Sequence, residues 1–162
     1  LLRFAGRPEA KLARGTFDLQ AGRLNDALEA FRQAKKLLES AKAPPRRIAY
    51  ATGLLGMTEL EAGRLDAARA LLTEATRLDP FQADLWVSLA DVEVRRVDNA
   101  AALAAASRAT ELDPVYAYNW LVLGEVAQAL GKRQVARKAF ETYLRLEKRE
   151  SVEYVQGLLK QL

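Results

Sequence analysis

Along much of the chain, small and apolar residues recur in steps of three and four. The groups are Ala27, Phe31, Ala34, Leu37; Ala68, Leu72, Ala75, Leu78; Ala102, Ala106, Ala109, Leu112; and Ala136, Phe140. That spacing places side chains on one face of an α-helix, so each group predicts an amphipathic helix. A further helical stretch precedes each one. Three of these stretches end near Gly22, Gly63 and Gly131, where glycine can adopt the left-handed conformation that closes a helix. Asn25-Asp26, Asp66 and Asp98-Asn99 then open the following helix as residues able to accept its first free N–H groups. Pro80 and Pro114 stop it, because proline lacks the N–H the helix interior needs.

These hairpins repeat. Trp86 and Trp120 lie 34 residues apart, as do Pro80 and Pro114, each preceded by Leu-Asp. The same offset of 34 carries Leu55 to Leu89 to Leu123, Gly56 to Ala90 to Gly124, and Ala68 to Ala102 to Ala136. A further copy lies upstream at an offset of 41, with Gly15 on Gly56, Gly22 on Gly63 and Ala27 on Ala68. The simplest place for its seven extra residues is a second helix prolonged through Glu39-Ser40-Ala41-Lys42, followed by a break at Pro44-Pro45. The recurring small residue has a physical reason: two helices in a tight hairpin approach closely only where the facing side chain is small. After the last copy, Val152, Val155, Leu158, Leu159 and Leu162 predict one more helix, with Ser151 as its N-cap.

The pattern Trp86-x-x-Leu89-Ala90 and Trp120-x-x-Leu123-Gly124, then Gly131, Ala136 and Phe140, with Leu-Asp-Pro closing the unit, resembles the tetratricopeptide repeat. The resemblance covers roughly Pro8 to Lys148 in four units, about 8–43, 46–80, 82–114 and 116–148, with a capping helix at 151–162. It departs from the family where Thr52 and Lys11 replace Trp, where Val97 replaces the closing Gly, and where Glu39 and Lys148 replace the final Pro. The resemblance implies an all-α fold: an α-α superhelical solenoid of tetratricopeptide-type helix hairpins, about nine helices in a single repeat domain spanning 1–162. The final helix covers an apolar face that has no following unit. The chain begins with Leu rather than Met, which reads as a processed chain or a fragment, with Leu1 to Ala5 as the remnant of an upstream helix.

Composition narrows the chemistry. Half of the 162 residues are hydrophobic, enough to build a core, and the net charge is +4. With no Cys and no His there is no disulfide framework, no thiol chemistry, no imidazole base and no cysteine-type zinc site. No apolar run approaches the roughly 20 residues a bilayer span needs. A Cys-free chain suits cytoplasm and periplasm equally, and Leu-, Ala- and Arg-rich usage points to a bacterial source with a GC-rich genome.

No catalytic constellation is visible. Ser40, Ser88, Ser107 and Ser151 have no His to activate them, and Ser40 with Lys42 reads as a solvated helix end. Asp91 and Glu93, two apart on one helix, face different ways. The two Trp residues sit at the same place in their units and read as core. An enzyme is therefore not expected, nor a cofactor, a metal or a small-molecule substrate.

In the resembling family the first helices of the units line a concave surface that binds peptides. Applied here, that surface carries Glu9, Leu12, Thr16, Leu19 and Gln20; Tyr50, Gly53, Met57, Leu60 and Glu61; Asp84, Val87, Asp91, Val94 and Arg95; and Tyr118, Leu121, Glu125, Gln128 and Ala129. The candidate partner-binding residues are Tyr50, Met57, Asp84, Val87, Asp91, Tyr118, Leu121 and Glu125. They form an apolar, acidic set fitted to an amphipathic helix or extended peptide with basic flanks. Leu12, Leu19, Leu60 and Val94 serve equally well as packing between first helices. Some chaperone-binding members hold a C-terminal carboxylate in a clamp of Lys, Asn and Arg. The matching positions here, among them Leu12, Thr16, Leu54, Asp84 and Ser88, contain none of these.

The leading expectation is thus a non-catalytic scaffold for another protein. An alternative is an anionic polymer, nucleic acid or polysaccharide, held on the second-helix arginines Arg32, Arg69, Arg77, Arg108, Arg137 and Arg145. Their interleaving with Glu and Asp reads instead as a solvated ion-pair face. A third reading is self-association through the apolar end at Leu1 to Phe4.

Overall fold

The structure, a computed structural model, describes residues 6–147 and 152–162. The expected helix remnant at Leu1–Ala5, with the sticky end it would make, and the Ser151 N-cap lie outside the described residues.

The chain divides into two compact units at the Pro80–Phe81 step. In the first, α1 (Pro8–Gln20) pairs with α2 (Leu24–Ser40), α2 packs on α3 (Pro45–Glu61), and α3 pairs with α4 (Leu65–Leu78). In the second, α5 (Ala83–Arg95) pairs with α6 (Asn99–Leu112), and α7 (Ala117–Ala129) pairs with α8 (Arg133–Leu146). There α6 packs on α7, α5 touches α7, and α9 (Val152–Lys160) rests on α8.

The seven extra residues lengthen two helices, not one. Counted from the register of α4, α2 should end at Leu37, yet it runs to Ser40. Counted from α5, α3 should begin at Ala49, yet it begins at Pro45. The expected prolongation through Lys42 stops short because Lys42 turns the chain with φ 50°. Pro45 then starts α3 early, since proline at the first turn sacrifices no hydrogen bond.

The expected caps need a similar correction. Asp98 does cap α6, its carboxylate accepting from the Ala101 N–H at 3.1 Å. Asn25, Asp26 and Asp66 lie inside the first turns of α2 and α4, whose N-cap positions are Arg23 and Arg64. Backbone bonds do the work there. Gly22, Gly63 and Gly131 have φ between 66° and 74° and close their helices with paired bonds, such as Gly22 N–H to Leu19 O and Arg23 N–H to Asp18 O. Val97 makes the same turn at φ 62°, a strained conformation for a β-branched residue.

Within each hairpin, the small residue of the first helix meets the second helix sixteen residues on. A Cβ on Gly124 would come within 2.3–2.9 Å of the Phe140 ring, and one on Gly15 within 2.5–2.9 Å of Phe31. At Gly56 the neighbour is Leu72. In α5 and α6 the same positions are Ala90 and Ala106, both fully buried. Where the second helix offers a smaller side chain, the first can carry a methyl group.

Three buried carboxylates, Asp18, Glu59 and Glu93, recur one turn before the hairpin turns. Asp18 accepts from Arg23 at 2.5 and 2.9 Å and from Arg14 at 2.7 Å. Glu59 accepts from Arg64 on its own turn and from Arg32 of α2 at 2.9 Å, which ties one hairpin to the next. Glu93 faces Arg96 at 3.6 Å. Buried carboxylates are tolerable only when paired in this way. The Arg23 hydrogen bonds, aided by Arg14 against the cost of burial, hold the Asp18 carboxyl below its usual range.

Candidate functional site

The expected binding residues lie on first helices in both units, and each unit presents its own surface. In the first unit, Tyr50 and Met57 stand two turns apart on α3, 49 % and 40 % exposed, while Gly53 between them is buried. Leu12 and Leu19 pack against the cluster of Ala27, Leu28, Phe31 and Leu55, and Leu60 is buried. These three leucines are therefore packing residues.

In the second unit, α5 presents Asp84, Val87 and Asp91, and α7 presents Tyr118, Leu121 and Glu125. Each trio has the spacing of one helix face, and α5 touches α7. Asp84 and Glu125 are exposed, Val87 and Asp91 are half-buried, and Tyr118 is 50 % exposed. Leu121 is half-buried against the cluster of Ala127, Ala136, Phe140, Tyr143 and Val155, so it forms floor rather than rim. Val94 stays exposed.

Two features escaped the sequence reading. Asp91 is already paired: Arg95 donates Nε and Nη2 to its two carboxylate oxygens, both at 3.1 Å. The i, i+4 spacing carried that signal. Second, Tyr154 of α9 reaches the surface and donates its hydroxyl to Glu125 Oε1 at 3.2 Å. Tyr154 lies 34 residues after Trp120, so the repeat period itself marks it.

The electrostatics of this surface follow from that arrangement. Burial, then the charges of Asp91 and Glu125, push the Tyr118 phenol above its ordinary range. The Glu125 charge does the same to Tyr154. Both hydroxyls therefore stay protonated at neutral pH. The Tyr116 and Tyr118 rings lie 6.3 Å apart, tilted by 54°. Among the described residues, no Lys or Arg pairs with Glu125 or Asp84.

The remaining candidates are structural. The Trp120 ring packs half-buried on the core and its Nε1 donates to Pro114 O at 2.9 Å. The fully buried Asn119 beside it donates to Ala109 O at 3.2 Å and Asp113 O at 3.0 Å, locking the α6–α7 connection. Ser40 and Ser88 donate their hydroxyls to the carbonyls of Lys36 and Asp84 on their own helices. Among the described residues no group of His, Cys, Asp and Glu could hold a metal ion, and no helix is long and apolar enough to cross a membrane. Of the second-helix arginines, Arg32 pairs with Glu59 and Arg108 with Glu111 at 2.9 Å each.

Helix hairpins repeating at a fixed period, with interdigitated small and large residues, define an all-α helical-repeat fold. The family model described as tetratricopeptide repeat matches residues 54–117. A search of curated proteins finds no match. Solved structures share the fold. One described as the crystal structure of MamA superposes with a TM-score of 0.76 at 23 % identity, over 91 % of this chain and 82 % of that one. The Arabidopsis OM64 TPR domain gives 0.66 at 17 % identity, over 72 % and 98 % of the two chains. The first TPR of Spaghetti (RPAP3), bound to the HSP90 peptide SRMEEVD, gives 0.64 at 22 % identity, over 71 % and 95 %. Residues 54–117 thus match the tetratricopeptide repeat, and the chain as a whole shares the fold of these domains.

Proposed function

We propose that the chain is a non-catalytic scaffold that holds a peptide or amphipathic helix of another protein on the exposed faces of its first helices. The binding residues are Tyr50 and Met57 in the first unit and Asp84, Val87, Asp91, Tyr118, Leu121 and Glu125 in the second. One observation carries the reading. On helices whose other apolar side chains are mostly buried or half-buried, Tyr50, Met57 and Tyr118 remain 40–50 % exposed, and in the second unit carboxylates stand beside them. Tyr and Met are adaptable contact residues, and acidic neighbours select basic partners. A tetratricopeptide domain of the same fold with a bound HSP90 peptide supports the peptide-binding part. That peptide ends in acidic residues, whereas the corresponding surface here is itself acidic, so the partner chemistry differs.

The test is an affinity pull-down comparing the native chain with Met57→Lys/Tyr118→Lys, two exposed positions whose change leaves the core intact. Circular dichroism checks the fold. Proteins lost with the variant support the reading; the same proteins bound by both overturn it.

A further inference from the structure

Asp91 of α5 and Glu125 of α7, whose charges both act on the Tyr118 phenol, differ in one respect. Asp91 is held by the guanidinium of Arg95 through two hydrogen bonds. Among the described residues, Glu125 has only the hydroxyl of Tyr154, which occupies Oε1 and leaves Oε2 for another donor. Around Glu125 stand the materials that receive a second guanidinium. Tyr154, from α9, is 59 % exposed, and Tyr118, two turns back on α7, presents half its surface. Leu121, between Tyr118 and Glu125, supplies an apolar floor for an aliphatic stem. A guanidinium can donate to a carboxylate while stacking on an aromatic face, and its methylene stem packs on apolar surface. The Asp91–Arg95 pair is an example of that recognition made within the chain.

We propose that Glu125, Tyr118 and Tyr154 form a receptor for one arginine side chain of the partner segment, and that α9 belongs to the binding surface as well as closing the core. The proposal rests on the first-helix face being where the partner binds, and it names the partner's anchor. Charge complementarity selects the occupant: an exposed carboxylate, with no cation among the described residues to pair it, beside two exposed phenol rings.

The experiment uses the full chain and a displayed library of amphipathic peptides. Selected peptides are measured by fluorescence anisotropy, each alongside a version with citrulline, the neutral isostere, in place of arginine. Binders enriched in arginine are expected. Citrulline should weaken binding to the native chain about tenfold, the scale of a charge-assisted hydrogen bond. Glu125→Gln should bind both versions equally, at the citrulline level. Tyr154→Ala should weaken the arginine peptide more than its citrulline version, while Glu141→Gln, an exposed change on the second helix α8, should alter neither. Binders without arginine enrichment that lose affinity to Tyr118→Lys overturn the arginine receptor and leave the scaffold reading standing. Arginine selectivity that survives Glu125→Gln overturns the receptor as well. A folded chain that selects no peptide overturns both.

Discussion

In α7–α8, Gly124 lies against the Phe140 ring and Gly131 turns the chain; in α5–α6 the same positions hold Ala90, Ala106 and Val97. The two hairpins share one register and reach it by different volumes. A glycine admits a phenyl ring, or two alanines meet. The contrast extends to the outer face of the first helix. On α5 the carboxylate Asp91 is closed by Arg95, while on α7 Glu125 is left open to solvent beside two phenols. The period constrains the sum of two facing residues more tightly than either residue alone, and it leaves the exposed face free to differ.

Breaking the large–small pair should give the largest effect. Phe140→Ala empties the α7–α8 core and should cost about 4 kcal/mol in urea unfolding. Ala106→Gly removes far less volume from the equivalent place in α5–α6 and should cost about 1 kcal/mol, mostly helix propensity. Next, Ala106→Phe imports the phenyl ring opposite Ala90 and should destabilise by about 2 kcal/mol, with Ala90→Gly restoring much of the loss. Additive costs in that double variant would contradict the volume account.

The turns give a smaller pair of effects with opposite signs. Gly131→Val should cost about 1–2 kcal/mol, the penalty of a left-handed β-branched residue. Val97, 74 % exposed, carries that penalty already. Val97→Gly should raise stability by about 0.5–1 kcal/mol, because glycine's extra freedom in the unfolded chain offsets part of the relief.

Smallest is the electrostatic contrast. Glu125 raises the Tyr154 pKa, so the protonated phenol contributes fully below the unfolded value near 10. That contribution disappears only as pH climbs through the raised folded value. Ultraviolet titration should find Tyr154 ionising above the ordinary phenol range, and Glu125→Gln should bring it back down. An unchanged titration would separate the two residues and dissolve the contrast with Asp91.

Much of the fold was legible because it is written in spacing. Gly22, Gly63 and Gly131 mark turns since few other residues reach positive φ cheaply, and Ala27, Ala68, Ala102 and Ala136 mark faces. Caps were less legible. Asn25, Asp26 and Asp66 were expected to cap, but the paired backbone bonds of the turn place Arg23 and Arg64 at those positions. The surface was legible residue by residue but not in its pairings. Asp91 looked as available as Glu125, although the i, i+4 arginine had already claimed it. Leu121 looked like rim, because its contacts come from a core that includes Val155 on another helix. Tyr154 was read only as part of a cap, since its bond to Glu125 joins positions 29 apart.

The most direct test of the binding account is to titrate a selected arginine peptide into the isotope-labelled chain and map the shifted resonances. The account predicts that the shifts gather at Val87, Tyr118, Leu121, Glu125 and Tyr154. Shifts confined to the second helices α6 and α8, with those five residues unmoved, would contradict it.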